Sequence, residues 1–521
     1  MADLSEDILS LAYSCQALIT DSEKQKVEDL RNNHQANLAM ISSRIGSIDE
    51  QISHLQSQRE ILFSKRDQEL KNIAVLKSIL SPIRRVPTDV LGEIFLFCLP
   101  EASVSWAVNV LRADEAPLLL CQVCLKWRRT ALDFPPLWKA LVLRVTYADA
   151  IPTIVETWFA RAGGCLLSLG LCLPKENVDP LVLTVYSRDI LVGLPNSRLQ
   201  HLSLSGFYGE DMYFISGISQ EFTALQSFCL LAEIRDSNYF LPPDRLLQSA
   251  PRLRSVVFRN FTHQSIFPNY WIPWSQLTHL EIEDQLSENM WFNVICHCKN
   301  LQHGIFKIDL DVKVPLMIPT SDHEIILPHL VHLTIRTRAF GGKPIFRQLA
   351  FPALKQLELL YDWKPTSIQG YLWDNGRFPR TNTSSLTSFV LAGDILIIEP
   401  EMQSLLKSLP SVTELDLSVV TNYYDFFTTL TNTRLLPTLE ALRCDIRRTV
   451  GHKTVIKQRL VSFVKSRHWD QLNSSNIRIA RLRRLTLKFP AHWNFVDDVG
   501  QFLAPFRGRG LLLVLDTTRD R

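Results

Sequence analysis

The chain has 521 residues, 46% of them apolar and 21% charged, and a formal net charge of +3. That length exceeds one compact core, so several domains or a repeat array are expected, and so balanced a charge argues against wholesale nucleic-acid or membrane binding. Ten cysteines without framework spacing read as the reduced thiols of an intracellular protein, cytoplasmic or nuclear.

Residues 1–22 form an N-terminal segment. Its start, MADLSEDILSLAYSC, is acidic ahead of its apolar residues and makes a poor signal peptide. No apolar run reaches the roughly 18 residues that a bilayer span needs, so no membrane partner is expected. The N-x-[ST] triplets at Asn260, Asn382 and Asn473 then carry no weight, because glycosylation requires a secretory route. Residues 23–80 read as a coiled coil. Leu38, Ile41, Ile45, Ile48, Ile52 and Leu55 recur in alternating steps of three and four, continued by Leu62, Ile73, Leu76 and Leu80. That is a heptad seam, and no proline interrupts it before Pro82. Arg59, Arg66 and Glu69 also occupy seam positions, which weakens packing or shifts register in the second half. The seam predicts a partner coil, a homo-oligomer included, or a helix folded back on its own chain.

In residues 81–145, Leu120, Val123, Cys124, Trp127 and Ala131 fall at helical spacing, so CQVC is expected inside an amphipathic helix with its cysteines packed. Mid-helix placement denies Cys121 and Cys124 the lowered thiol pKa of a redox pair. A structural zinc site needs four ligands, and no histidine occurs between His54 and His201. Pro87, Leu91, Ile94 and Phe95, then Val123, Cys124, Trp127 and Arg128, then Pro135, Leu137 and Trp138 follow in an order that resembles the F-box family. The gap EASVSWAVNVLRADEAP between the halves is longer than in the compact family module. The resemblance implies docking on the Skp-type adaptor of a cullin ubiquitin ligase through Pro87, Leu91, Ile94 and Phe95. It places Val123, Cys124, Trp127, Leu137 and Trp138 in the module's core. Pro87 suits a helix start, where its missing N–H would be unpaired anyway. Leu91, Ile94 and Phe95 are expected to form an apolar patch that so small a module cannot cover.

Residues 146–521 carry a recurring L-x-x-φ-x-φ: RLQHLSL at Leu199, ALQSFCL at Leu225, RLRSVVF at Leu253 and QLTHLEI at Leu277. It continues at Leu301 (a weaker copy), Leu330, Leu354, Leu386, Val412, Leu439 and Leu482. Most starts lie 24 to 32 residues apart, the spacing of leucine-rich repeats. The alternation φ-x-φ is a short strand with one buried face, and Pro251 and Pro410 end the helix ahead of their strands. One unit cannot bury its apolar face alone, so the units stack. The expected fold is therefore α/β: an irregular leucine-rich-repeat-like solenoid of parallel strands and connecting helices, preceded by an all-α F-box and the long coiled-coil helix. A nonrepetitive α/β domain is the alternative.

No catalytic, cofactor or metal motif completes itself. HEIIL at His323 lacks a second histidine, GGKP at Gly341 lacks the P-loop spacing and its Ser/Thr, and GRGLLL near Gly508 is no dinucleotide turn. Cys296 and Cys298 sit at alternate positions on a short helix, where side chains diverge. Two features bear on a substrate. Between Arg443 and Lys488, thirteen Lys and Arg stand against Asp445 and Asp470, and Ile456, Leu460, Phe463 and Val464 define an apolar helix face. That leaves Lys453, Lys457, Arg459, Lys465 and Arg467 outward or flanking, either as a solvated basic face or, with Arg447, Arg448, Lys457 and Arg459, as a site for an acidic or phosphorylated segment or, third, nucleic acid. The second is an insertion with Tyr361, Trp363, Tyr371, Trp373 and Phe378, aromatic anchors for binding or cover for the array. The chain reads as a non-catalytic substrate-recognition subunit of a cullin-type ubiquitin ligase, without a cofactor, whose partners are the adaptor, the cullin and an unidentified protein substrate. The alternatives are a coiled-coil scaffold without cullin engagement and, third, a nucleic-acid-binding protein.

Overall fold

The computed structural model describes residues 20–100, 112–144, 151–173, 189–207, 221–232, 247–259, 272–309, 325–337, 349–361, 385–432, 435–450, 453–468, 479–490 and 496–517. The chain divides into two compact units, Met1–Leu91 and Gly92–Arg521.

The first unit is dominated by one helix, α1 (Asp21–Leu80). At 1.5 Å per residue it is about 90 Å long. Thr20 starts it: its backbone N–H and its hydroxyl both donate to the Glu23 carboxylate, at 3.0 and 2.6 Å, which satisfies a donor that the first turn cannot. Those same hydrogen bonds hold Glu23 below the usual carboxylate range. None of the residues of α1 is buried. A helix folded back on its own chain would bury the seam, and here Leu38, Ile45, Ile52 and Leu62 all stand exposed.

A short helix, α2 (Thr88–Leu96), follows, and after it α3 (Leu120–Val123) and α4 (Leu125–Leu132). The single helix expected through CQVC is thus two. Cys124 is extended, with φ −162° and ψ 169°, and its sulfur accepts the Trp127 N–H at 3.5 Å as the N-cap of α4. Gly92 lets the ring of Phe134 come so close that a Cβ would lie 2.6 Å from it.

The strands are β1 (Ala140–Arg144), β2 (Leu167–Cys172), β3 (Leu199–Phe207), β4 (Ser227–Ala232), β5 (Ser255–Arg259), β6 (His279–Ser287) and β7 (His303–Asp309). They continue as β8 (Ile325–Ile326), β9 (His332–Thr337), β10 (Leu349–Ala350), β11 (Gln356–Tyr361), β12 (Ser388–Ile397), β13 (Glu414–Thr421), β14 (Ala441–Asp445), β15 (Arg484–Lys488) and β16 (Leu512–Asp516). Among the described residues, fourteen form one sheet in the order β1 to β7, β9, β11 to β16, while β8 and β10 pair separately. Every pairing is parallel. Between strands run α5 (Ile151–Arg161), α6 (Glu288–His297), α7 (Glu399–Lys407), α8 (Tyr423–Asn432), α9 (Lys453–His468) and α10 (Val496–Arg507). The protein is α/β, with a long N-terminal helix and a many-stranded parallel sheet in chain order, an arrangement compatible with a solenoid.

The recurring motif accounts for the core. Its eleven leading residues, Leu199 through Leu482, are all at 0% exposure, and the two φ positions of each copy face the same interior. Pro410 follows α7 as expected, whereas the residues ahead of Pro251, 247–250, form a turn and not a helix. β1 falls inside the segment expected to be helical. Trp138 occupies the leading position of its copy, W-x-x-L-x-L, and is fully buried. Its ring meets Trp158 of α5 edge-on at 4.7 Å, its Nε1 donates to the Ala131 carbonyl at 2.7 Å, and the Trp158 Nε1 donates to Ala140.

β12 bends where Gly393 adopts φ +127°, and a Cβ there would overlap the carbonyl oxygen and Cβ of Tyr361. Gly393→Ala is therefore expected to destabilise the second unit by about 1–3 kcal/mol. Gly164→Ala, which meets nothing within 4 Å, should leave the thermal midpoint unchanged. Circular dichroism melts of both variants check this.

Candidate functional site

Two surfaces have the geometry of recognition sites. The first is on α2. Its residues sort by helical phase into a buried edge, Leu91 and Phe95 at 0% exposure, and an exposed stripe, Val90 at 46%, Ile94 at 40% and Phe97 at 92%. The i, i+4, i+7 spacing of the stripe keeps it on one side. Phe95 lies against the Trp127 ring at 4.9 Å. This corrects the expectation that Leu91, Ile94 and Phe95 together form an uncovered patch: Leu91 and Phe95 are core, and of the three only Ile94 is exposed. Pro87 is exposed ahead of the helix.

The expected core residues of this segment divide as well. Leu137 and Trp138 are buried and Trp127 is half-buried, while Val123 and Cys124 are exposed. The cause is the break at Cys124, which turns α3 and α4 out of phase and leaves Leu119, Val123 and Leu125 facing outward. Cys121 is partly covered, its carbonyl accepts from Arg128 at 2.7 Å, and burial raises its thiol pKa. The cysteines therefore do not pack as a pair.

The second surface is the polar face of the sheet, made by the x positions of each motif copy. In the third motif position His279, His303 and His332 align across β6, β7 and β9. The first two rings stack at 4.5 Å, and the next pair meets at 6.0 Å. Burial, and then the neighbouring imidazole, push His279 and His303 below the ordinary histidine range. Beside them runs a charge lattice. Arg259 pairs with Glu281 at 2.7 Å and Glu283 at 3.1 Å, Arg336 reaches Glu283 at 3.3 Å, and Thr334 donates to Glu358 at 3.1 Å. Stacking the eleven motif copies in columns would have exposed this strip, since the histidines, Glu281, Thr334 and Glu358 sit at fixed x positions and Arg259, Glu283 and Arg336 one residue past the motif.

The basic block lies toward the C-terminal end of the same sheet, and the four residues expected to hold an acidic segment already have partners. Arg447 grips Asp445 with two hydrogen bonds of 2.8 Å, Arg448 pairs with Asp394 and Asp445, and Arg443 approaches Asp416. Arg459 donates to the Tyr424 hydroxyl at 2.9 Å, and Lys457 lies over the Phe502 ring at 4.6 Å. Ile456, Leu460, Phe463 and Val464 are buried as expected of the apolar face. Arg467, expected outward or flanking, is instead 6% exposed and donates to the Leu435 and Leu436 carbonyls; burial pulls its pKa down to about 10. Tyr361, expected in an inserted loop, is the last residue of β11, pairs with Gly393 and Thr337, and has its phenol pushed up by burial. Trp363 and Trp373 lie outside the described residues, as do Tyr371 and Phe378.

Compared with known proteins, no family model and no curated relative matches this chain. Among the described residues, no helix is long and apolar enough to cross a membrane.

Burial alone would raise the Asp445 pKa, but the Arg447 hydrogen bonds and the Arg447 and Arg448 charges outweigh it and lower it. A lowered folded-state pKa stabilises above the usual carboxylate range, and that stability disappears as pH falls through the range. Arg447→Glu, which strands two carboxylates together, should cost about 3–5 kcal/mol at pH 7. Arg447→Gln should flatten the loss of stability between pH 7 and acid. Urea denaturation across that range reads both outcomes.

Proposed function

We propose that the chain is a substrate-recognition subunit of a Skp–cullin–F-box-type ubiquitin ligase: a non-catalytic adaptor whose α2–α4 segment is an F-box and whose sheet is a leucine-rich-repeat array. The observation that carries this reading is the exposed apolar stripe of α2 within a segment whose residues follow the F-box order. A stripe of Val, Ile and Phe in water is costly unless a partner covers it, and Phe97 is almost wholly exposed. The polar face of the sheet supports the second half of the reading. Its lattice of paired carboxylates and guanidinium groups, flanked by the histidine column, offers donors and acceptors at fixed strand spacing to a polar protein segment. The partners are then the Skp-type adaptor, through it the cullin, and a protein substrate on the sheet.

The test separates docking from folding. Ile94→Asp combined with Phe97→Asp should abolish capture of the Skp-type adaptor while the thermal midpoint stays near that of the unaltered chain. Apolar side chains buried on binding contribute about 1.5–3 kcal/mol each, so losing two weakens binding by at least about a hundredfold. Leu91→Asp with Phe95→Asp should instead unfold the helical segment. Unchanged capture by a folded Ile94 and Phe97 variant overturns the docking surface. Failure of the unaltered chain to capture any adaptor favours the scaffold reading.

A further inference from the structure

The exposed seam of α1 contains information about what covers it. Written as heptads, Leu38, Ile45, Ile52, Arg59, Arg66, Ile73 and Leu80 take the a positions. Ile41, Ile48, Leu55, Leu62, Glu69 and Leu76 take d. Two copies aligned in parallel and in register would stack Arg59 on Arg59, Arg66 on Arg66 and Glu69 on Glu69. These are three like-charge layers in the middle of the interface, each unfavourable where water is excluded.

Antiparallel copies place a against d, and one register gives Glu69 an arginine while keeping the longer overlap. With the two-fold axis beside Ser64, Arg59 faces Glu69 of the second copy. On either side Leu55 faces Ile73, Ile52 faces Leu76, and Ile48 faces Leu80. The remaining layer sets Leu62 beside Arg66, whose guanidinium is already held by Asp67 of its own chain at 2.9 Å and lies over Phe63 at 4.7 Å. Its apolar stem is left to cover the leucine. The flanking e positions agree, while at g Lys65 meets its own copy across the axis, where its long stem leaves the ammonium in water. Phe63 and Leu70, both exposed in α1, fall at e beside the charged layers, where Phe63 meets its own copy across the axis, and Asp49 falls opposite Lys77. Moving the register one heptad toward the N-terminus sets Glu69 against Ile52 and Arg66 against Leu55. Moving it the other way pairs Glu69 with Arg66 instead, but it shortens the overlap by a heptad and sets Arg59 against Leu76.

We infer that the chain forms an antiparallel homodimer through residues 48–80 of α1, with Arg59 and Glu69 as the reciprocal ion pair that sets direction and register. Leu38, Ile41 and Ile45 lie beyond the overlap. The inference does not depend on the proposed ligase role.

Sedimentation equilibrium of the full chain tests it, and every substituted side chain is exposed in α1, so the variants should fold. The unaltered chain should be a dimer at micromolar concentration. Ile52→Asp should make it monomeric, and Ile45→Asp should leave it dimeric. Arg59→Glu should raise the dissociation constant at least about tenfold, and adding Glu69→Arg should restore it. A parallel dimer would lose as much from Ile45→Asp as from Ile52→Asp and would be indifferent to Arg59→Glu. Either of those results, a monomeric unaltered chain, or a charge swap that fails to restore association overturns the antiparallel arrangement.

Discussion

A parallel strand cannot stand alone: its backbone groups need both neighbours, and its one apolar face needs a floor. Each motif copy but that of Leu301, which has Gly304 at one φ position, supplies three side chains to that floor, as in Leu415, Leu417 and the leading Val412, all at 2% exposure or less. Burying three such groups yields about 5–9 kcal/mol, while ordering roughly five strand residues costs about 5–10 kcal/mol. One repeat therefore sits near zero, and stability appears only where neighbours share the floor. The same constraint explains why α4 and the Pro135–Trp138 turn cannot be separated from β1. Trp138 serves the helical segment through Ala131 and the first repeat through Trp158 at once.

From Leu199 to Leu482 the motif was legible. Eleven copies became β3 to β7, β9 and β11 to β15, with each leading residue buried. Of the five other strands, β8 and β10 are two-residue pieces outside the main sheet, and in β1, β2 and β16 the leading position is not filled by a buried leucine. Trp138 stands in the place of leucine before β1, a register shift in β2 sets Leu167 opposite Leu199 and leaves the leading Leu166 exposed, and Gly510 stands at that position before β16. The other failures concern phase. Helical spacing in α2 admits two stripes one residue apart, Leu91 with Phe95 or Val90 with Ile94, and spacing alone has no reference for which one faces inward. The neighbours decide, and they are distant in sequence: Trp127 covers Phe95, and the Phe134 ring fills the notch at Gly92.

Charge was legible in amount and not in arrangement. The window from Arg443 to Lys488 is strongly basic as a string, but parallel stacking brings Asp394, Asp416 and Glu440 from other repeats to Arg448, Arg443 and Arg483. These partners lie one or two strands away, 27 to 54 residues along the chain, so a local count misses the partners that matter. Asp445 is the clearest case. Two arginines from its own turn and Asp394 from another strand make one network, and a side chain recruited there for binding would have to leave a carboxylate unpaired at 5% exposure.

The positions that break a pattern carry more information than those that keep it. A seam of leucine and isoleucine throughout would associate in either direction, and more tightly. In the inferred antiparallel dimer Arg59 and Glu69 give up that stability and in exchange favour the direction and register in which they meet, the best-attested use of polar groups in such seams. Histidine at three successive third positions does the equivalent on the sheet: serine or glutamine, as in Ser255 and Gln356, would satisfy the strand as well. It places three titratable rings in contact where neighbouring repeats place none. Gly393 kinks β12 at the level of Tyr361, which a residue with a Cβ could not reach. In each case the apolar periodicity builds the element, and the exception determines which partner or shape that element accepts.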